Sequence, residues 1–413
     1  MNPWANIFIP PLGSQFEIPG ISLTNSQTGE KEFIAKKAIY RMYVCGITPY
    51  DATHLGHAAT YVTFDLINRY LRAQGSEVRY VQNITDIDDP LLERAKRDSI
   101  DWRELADSQV ELFRNDMVGL RVVPPAHYIG VVEAIPLVID AIEKMGASGA
   151  IYPVEADFYF KNHVDERFGS LSHLNTRQML KIFAERGGDP QRVGKVDPMD
   201  CLVWMSQRPG EPGWDSPLGS GRPGWHIECT AIALHYLKPD SSEENLIDIQ
   251  GGGSDLIFPH HEMCRAQARA LTNKELARSY VHAGMIGFDG EKMSKSKGNL
   301  VFVSHLIAQG VDPMGIRYAL MNAHYRSDRM WNKEDLQRSH SMISRLRFAL
   351  ACTQVSETDQ VIKEIVLALS DDLDTPRALL AIESWVEETL VGASGGNAGE
   401  FSRALDTLLG LAL

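Results

Sequence analysis

Long hydrophobic runs are absent from this 413-residue sequence. No segment approaches the roughly 18 consecutive uncharged apolar residues that a membrane-spanning helix needs, so the sequence predicts a protein without membrane spans. The first thirty residues also lack Lys and Arg. A secretory signal begins with a positively charged segment, and its absence here predicts a cytoplasmic protein.

Cysteine is scarce, with five residues spread over the chain. An odd number at wide spacing makes a poor disulfide framework and is typical of a reducing compartment. Cys201 lies in an apolar segment typical of a strand, and Cys352 lies in a segment of helical period. Because free cysteine is often buried, we predict that both are core residues.

Positive charge is in deficit, with 41 Lys and Arg against 54 Asp and Glu and a formal net charge of −13. This argues weakly against a large nucleic-acid surface, since a local basic stripe can lie on an acidic protein. The deficit is concentrated in residues 351–413, which hold 3 basic and 11 acidic side chains. A phosphate backbone would be repelled there.

Strand and helix signals alternate from residue 39 onward. An apolar run at 39–45 precedes a segment of helical period at 57–74, and a second apolar run covers 78–84. Asp88 and Asp89, followed by Pro90, are typical of a helix start. This order predicts a parallel sheet of the α/β class. Further strands are predicted at 201–205, 246–250 and 281–286, and further helices at 225–236, from about 259, and through most of the chain after 304.

The same patterns divide the chain into five regions. We predict an N-terminal arm (1–38), the first half of an α/β domain (39–120), an inserted connective subdomain (121–195), the second half of the α/β domain (196–300) and a C-terminal helical region (301–413).

The tetrapeptide His54-Leu55-Gly56-His57 stands between the first predicted strand and the following helix. The dipole and free N–H groups of a helix N-terminus favour anions, and glycine permits close approach of the backbone. The motif is therefore a candidate phosphate site. The alternative is a helix cap with two solvated histidines.

A basic motif, Lys292-Met293-Ser294-Lys295-Ser296, follows much later in the chain. Ammonium groups on a loop rich in Ser and Gly suit a polyphosphate whose charge shifts during a reaction. The alternative is a solvated basic loop. Both motifs, in this order on a parallel α/β pattern, resemble the HIGH and KMSKS signatures of the class I aminoacyl-tRNA synthetases.

This resemblance implies a Rossmann-like catalytic domain that binds ATP, with Mg²⁺, for attack of a carboxylate on the α-phosphate. It implies that His54, Gly56 and His57 contact the phosphates and that the two histidines stabilise the transition state. It also implies that Lys292 and Lys295 neutralise the β- and γ-phosphates, with Ser294 and Ser296 on the same closing loop.

Glycines also mark a second place where the nucleotide could bind. Gly251, Gly252 and Gly253 follow a predicted strand, where a parallel sheet places its ligands, and Asp255 could accept a hydrogen bond from a ribose hydroxyl. Close backbone approach at glycine suits adenosine. The alternative is a glycine turn followed by a helix-capping Asp.

Cysteine and histidine occur together in a pattern typical of metal ligands. His260 and Cys264 are four residues apart, which places both on one helix face. Cys45 ends the first predicted strand, and Cys229 lies in a predicted helix. Thiolates with an imidazole select Zn²⁺. The alternative for each cysteine is core packing.

Seven segments resemble the catalytic core of cysteinyl-tRNA synthetase over roughly residues 35–330. They are CGITPYD (45–51), HLGH (54–57), FDLINRYLRAQG (64–75), VQNITDIDD (81–89), PGEPGWDSPLGSGRPGWHIEC (209–229), GGGSDLIFPHHE (251–262) and KMSKSKGN (292–299). The resemblance implies one zinc ion per chain, held by Cys45, Cys229 and His260 and bound to the thiol of substrate cysteine. It implies that Gly46, Thr48, Thr85 and Trp225 line the cysteine pocket.

The sequence also departs from that family. Cys264 stands where the family has a fourth metal ligand, normally Glu, and whether it binds zinc is left open. Ala59 replaces an Arg that often follows the HIGH motif, and Met205 replaces a Lys. The tail is short and acidic and lacks a convincing anticodon-reading domain.

With these departures, the sequence resembles the mycothiol ligases, a family paralogous to cysteinyl-tRNA synthetase, over essentially the whole chain. That resemblance implies a monomeric enzyme that joins L-cysteine to the amine of glucosaminyl-inositol through a cysteinyl-adenylate, releasing AMP and diphosphate. It makes tRNA an unexpected partner. Asp86, Glu228 and His57 are the candidate bases for deprotonating the amine. The alternatives are a cysteinyl-tRNA synthetase with a shortened tail and a non-catalytic zinc-stabilised paralogue.

Overall fold

The computed structural model describes residues 1–50, 53–238, 245–288, 290–293 and 298–413, and of Lys292 it describes only the backbone. The predictions for Ser294, Lys295 and Ser296 therefore lie outside the described residues. Within the described ranges, none of the helices combines the length and the apolar character needed to cross a membrane.

The described strands and helices follow one another along most of the chain. The strands are β1 (Ile21–Thr24), β2 (Lys31–Ile34), β3 (Ile39–Val44), β4 (Glu77–Ile84), β5 (His127–Gly130), β6 (Ile151–Val154), β7 (Asp157–Phe160), β8 (Cys201–Ser206), β9 (Gly221–Pro223), β10 (Asn245–Gly253), β11 (Glu275–Ala283), β12 (Ile286–Phe288), β13 (Glu291–Lys292) and β14 (Arg329–Trp331). The α-helices are α1 (Leu55–Ala73), α2 (Asp89–Asp98), α3 (Trp102–Gly119), α4 (Val131–Ala147), α5 (Thr176–Glu185), α6 (Trp225–Tyr236), α7 (Glu262–Thr272), α8 (Val303–Ala308), α9 (Pro313–Met321), α10 (Lys333–Leu350), α11 (Asp359–Ser370), α12 (Thr375–Leu390) and α13 (Ala398–Leu409).

A five-stranded parallel sheet forms the centre of the α/β domain, as the sequence predicted. Its strand order is β11-β10-β3-β4-β5, and every neighbouring pair is parallel. The strands β3 and β10 are adjacent, so Cys45 and the glycines of β10 meet at the carboxyl edge of the sheet. There the Cys45 amide donates to the Gly251 carbonyl at 3.0 Å. In an open parallel sheet this edge is where ligands bind.

The strand at 201–205 is present, but its assignment to the parallel α/β pattern was wrong. It is β8, which pairs antiparallel with β7 and β9 in a separate four-stranded sheet of order β6-β7-β8-β9. Cys201 is buried there, as predicted. A short apolar run shows that a strand is buried but does not show which sheet it joins. The domain boundaries drawn from the sequence stay a prediction.

Strand β10 runs through the three glycines, whereas the sequence placed them after the strand. A side chain at Gly251 would collide with the Phe64 ring of α1, its Cβ lying 2.2 Å from a ring carbon. At Gly252 the new Cβ would lie 2.8 Å from Leu256. Glycine at these two positions therefore lets neighbouring side chains pack directly on the strand backbone.

The C-terminal helices are joined to the α/β domain by a buried ion-pair network. Arg317 of α9 pairs with Asp65 of α1, and Arg69 of α1 donates from Nε to the Asp65 carboxylate at 2.7 Å. All three side chains are fully buried. Arg317 also donates to the carbonyls of Leu409 and Leu120, at 2.7 Å each. Although burial opposes its ionisation, the two guanidinium groups hold the pKa of Asp65 below its ordinary value.

Candidate active site

A cleft of about 420 Å³ opens at the carboxyl edge of the parallel sheet. It collects residues that the sequence predicted from separate motifs. Those lining it are Cys45, Gly46, Thr48, His54, Gly56, His57, Trp225, Gly253 and Asp255. Other lining residues include Tyr50, Thr60, Tyr61 and Met293.

The HLGH motif forms the start of α1, as predicted. His54 is the N-cap residue, and its Nδ1 accepts a hydrogen bond from the Gly56 amide at 3.0 Å. The His54 and His57 rings stack with their centroids 3.8 Å apart. Burial, with a smaller contribution from His54, holds the pKa of His57 well below its usual value, so its imidazole is neutral at pH 7. Among the described residues, His57 Nδ1 has no hydrogen-bond partner.

The segment that follows the KMSKS motif pairs with the residues around the HLGH motif. The Leu55 amide donates to the Val301 carbonyl at 2.9 Å, and the Val303 amide donates to the Thr53 carbonyl at 3.1 Å. Met293, which precedes the undescribed residues 294–297 in the sequence, also lines the cleft. Met293 and the segment from Val301 to Val303 therefore lie beside the HLGH motif at one end of the cleft, although about 240 residues separate them from it along the chain.

The predicted metal ligands lie close together beside the cleft. The Sγ atoms of Cys45 and Cys229 are 3.9 Å apart, and both residues are buried. His260 is buried as well and can share a metal ion with Cys45 and His261. Although burial opposes ionisation, the Cys45 hydrogen bond and the His260 charge hold the pKa of the Cys229 thiol well below its usual value. A buried set of thiols and imidazoles fits the donor preference of Zn²⁺.

His261 is a candidate ligand that the sequence analysis missed. Its Nε2 lies 3.2 Å from Cys45 Sγ, and its Nδ1 lies 2.7 Å from Nε2 of His282. The ring is held from both sides. The signal was present in the His260-His261 pair, but helical spacing favoured the first histidine with Cys264.

Cys264 lies at the edge of this cluster. Its Sγ donates to the His226 carbonyl at 3.3 Å and is 3.8 Å from Nε2 of His260. His226 Nδ1 also lies 3.0 Å from His260 Nδ1, a second contact that orients the His260 ring. The sequence analysis did not predict this role for His226.

Trp225 forms a wall between the cleft and the metal-like cluster. It is the first residue of α6, and its ring lies against that of His260 with centroids 4.4 Å apart.

Thr85 lies behind the opposite wall, where its amide donates to the Ile47 carbonyl at 3.0 Å and its hydroxyl accepts from Asn83 at 3.3 Å. Thr85 therefore supports the loop that carries Gly46 and Thr48 and does not line the cleft.

The three candidate bases occupy different environments. His57 lines the cleft. Asp86 accepts from the Val132 amide at 2.9 Å at the start of α4, and burial raises its pKa to about 6. Glu228 is buried, and this burial, with the nearby Asp88 carboxylate, raises its pKa well above the usual value.

Gly46 is the lining residue where any side chain is expected to do most damage. A Cβ there would lie 1.6 Å from the Asn83 carbonyl oxygen, a backbone atom that cannot move aside. We expect Gly46→Ala to displace the loop that follows β3 and to lower cysteine-dependent ATP–diphosphate exchange more than about 100-fold, since displacements of about 1 Å have that effect. Gly146→Ala is the matched control, because Gly146 lies in α4 and an added Cβ there would meet only Ile151, at ordinary contact distances of 3.5 Å or more. Near-native exchange by Gly46→Ala would contradict the close approach.

Residues 31–341 match the family model described as the tRNA synthetases class I (C) catalytic domain. Among solved structures, the chain is similar to Mycobacterium tuberculosis methionyl-tRNA synthetase in complex with methionyl-adenylate, with a TM-score of 0.64 and 16% identity over 91% of this chain and 89% of that one. A leucyl-tRNA synthetase from Agrobacterium radiobacter gives a TM-score of 0.62 and 12% identity over 91% and 83% of the chains. At such identities these structures establish the fold alone.

Curated relatives are similar over the whole chain. The L-cysteine:1D-myo-inositol 2-amino-2-deoxy-alpha-D-glucopyranoside ligase of Thermomonospora curvata is 51% identical over 421 residues, covering 100% of both chains. The ligases of the same name from Gordonia bronchialis and Streptomyces coelicolor are 50% and 49% identical, also over 100% of both chains.

The parallel sheet, the cleft at its carboxyl edge and the paired motifs define a catalytic domain of the class I synthetase type. Its helical tail extends beyond the residues that the synthetase model matches. The chain belongs to the family of L-cysteine:1D-myo-inositol 2-amino-2-deoxy-alpha-D-glucopyranoside ligases, the mycothiol ligases. It is an ATP-dependent ligase.

Proposed function

We propose that the chain condenses L-cysteine with the amine of glucosaminyl-inositol in mycothiol biosynthesis. Cysteine and ATP first give cysteinyl-adenylate and diphosphate. The amine then attacks the adenylate carbonyl, forming the cysteinyl amide and releasing AMP. The observation that carries this proposal is the similarity to the ligases over the entire chain, including the tail that the synthetase family model leaves unmatched.

The start of α1 is suited to the phosphates of ATP. The positive end of the helix dipole favours an anion, and His54 and His57 border the same space. Stabilisation of charge at the α-phosphate by such preorganised donors is typical of this chemistry. Lys292, Ser294, Lys295 and Ser296 are proposed to approach the β- and γ-phosphates, with Mg²⁺ accompanying ATP. Gly253 and Asp255 are proposed to face the adenosine.

Cysteine is proposed to lie between Trp225, Gly46 and Thr48, with its thiol directed toward Cys45. We propose that one zinc ion is held by Cys45, Cys229 and His260, and bound zinc would favour the ionised thiol of the substrate. Serine is nearly isosteric, but its hydroxyl is a harder and less acidic donor, so the same site would reject it.

Of the three candidate bases, His57 has the best placed side chain. It borders the cleft, and its imidazole is neutral at pH 7. A neutral imidazole can accept the proton that the acceptor amine must lose. We propose His57 for this step, because Asp86 is occupied with the α4 amide and Glu228 is a buried residue of α6.

The identity of the product tests the proposed function. Purified protein is incubated with ATP and cysteine and with either glucosaminyl-inositol or tRNA, and the products are identified by mass spectrometry. We expect the cysteinyl amide and AMP with glucosaminyl-inositol. Reactions lacking ATP, or containing serine in place of cysteine, serve as controls. Aminoacylated tRNA without the amide would show that the chain is a tRNA synthetase, and no activation of cysteine at all would show that it is a non-catalytic paralogue.

A further inference from the structure

A second and larger cavity lies outside the cleft. This outer groove, of about 770 Å³, runs between the α2–α3 corner (residues 89–103) and the loop 209–212. Its volume lies within the roughly 300–1,000 Å³ that is typical of small-molecule sites. None of the roles proposed above for ATP, cysteine or zinc uses its lining residues.

The side chains around the outer groove suit a polyol. Four carboxylates line it, against the cations Lys96 and Arg103. Carboxylate oxygens accept hydrogen bonds from the hydroxyl groups of a polyol. Trp102 lines the same space and offers an apolar surface to the carbon face of a ring. The four carboxylates are Asp89, Glu93, Asp101 and Glu211.

A buried arginine holds two of these carboxylates in place. Arg222 is only 4% exposed, pairs with Asp89 and lies 3.3 Å from the Glu211 carboxylate. Within the described part of the chain, its Nε has no hydrogen-bond partner. A buried guanidinium that orients carboxylates from two different segments is typical of a preorganised site, since such charge-assisted contacts limit the freedom of both side chains.

The outer groove and the cleft share a wall. Tyr50 lines the cleft, and its side chain packs with Trp102 against the apolar residues between α2 and α3. Arg94 of α2 donates to the Tyr50 carbonyl at 2.5 Å. Tyr50 on the cleft side and Trp102 on the groove side therefore lie between the two spaces.

We propose that the outer groove binds the polyol part of the acceptor, with Glu211 and Glu93 accepting hydrogen bonds from its hydroxyl groups. This assignment rests on the proposed function, because glucosaminyl-inositol supplies both the hydroxyl groups and the single amine. The polyol lies along the groove, and its amine is directed past Tyr50 to the adenylate carbonyl.

The test uses Glu211→Gln and Glu93→Gln in the full chain, with Glu143→Gln on the exposed face of α4 as the matched control. Initial rates of amide formation are measured against glucosaminyl-inositol concentration. We expect KM for the acceptor to rise about tenfold for Glu211→Gln and severalfold for Glu93→Gln, the size expected for a hydrogen bond to a charged group. The control should keep the native KM.

Cysteine-dependent ATP–diphosphate exchange is measured in parallel, because it needs no acceptor. A KM within twofold of native in both variants would overturn the proposal, and so would an equal loss of exchange and amide formation in both. If the native protein exchanges diphosphate but makes no amide, the proposed function itself fails. Amide formation by the native protein with unchanged variant KM values would remove only the groove assignment.

Discussion

Replacing Cys229 by serine is expected to remove zinc from the protein and to lower cysteine-dependent ATP–diphosphate exchange more than about 100-fold. Loss of a hydrogen-bond partner of a metal ligand typically costs about 10–100-fold in metal affinity, and loss of a thiolate that binds the metal directly should cost more. The Cys229 and Cys45 Sγ atoms are 3.9 Å apart, and both are buried, so water cannot readily replace the missing donor. Zinc content after dialysis is measured by inductively coupled plasma mass spectrometry.

Two further variants make this experiment selective. Cys352→Ser changes a thiol at the end of α10, far along the chain from the cluster, and should keep one zinc per chain. His261→Gln should also retain zinc, because Cys45 and His282 already contact its two ring nitrogens. Zinc retained by Cys229→Ser but lost from His261→Gln would show that the set of Cys45, His260 and His261 holds the metal instead.

Removing the Asp65 carboxylate is expected to produce the largest loss of stability. In Asp65→Ala the guanidinium groups of Arg69 and Arg317 remain buried without their shared counter-ion. Breaking a buried ion pair in this way typically costs about 3–5 kcal/mol in the free energy of unfolding. Urea denaturation followed by circular dichroism measures the change.

The pH dependence of the same variant gives an independent check. The pKa of Asp65 is lowered in the folded protein, so its stabilisation is fully present above its ordinary value of 3.8 and is lost as the pH falls through the folded value. The difference between native and variant protein should therefore shrink only at strongly acidic pH. Asp140→Ala is the matched control, since it breaks an exposed pair with Lys144 that should contribute less than about 1 kcal/mol. Equal losses in the two variants would contradict the network's role.

Much of the fold could be predicted because its signals are local. Helix α6 spans Trp225–Tyr236, as its sequence predicted, and the first two strands of the parallel sheet match their apolar runs within a residue. Strand β8 was assigned to the wrong sheet because pairing depends on partners distant in sequence. The glycines of β10 resembled a turn because glycine is usually depleted in strands.

The candidate site was predictable to the extent that motifs carried it. The HLGH motif and Cys45, at the end of the first predicted strand, were identified from short sequence patterns. The structure places both at the carboxyl edge of the parallel sheet. The roles of His226 and His282 depend on ring contacts between separate elements, which no spacing rule predicts. The Asp65–Arg317 pair joins residues 252 positions apart, so its partners could not be matched from the sequence.

The pairing of Thr53 and Leu55 with Val301 and Val303 has a consequence for the order of synthesis. A growing chain makes the HLGH motif early, but the backbone partners of these residues are made only after three-quarters of the protein has been synthesised. Arg317, which pairs with the middle of α1, comes later still. The end of the cleft bordered by the HLGH motif is therefore completed late, and a nascent or truncated chain ending before residue 301 lacks these backbone partners.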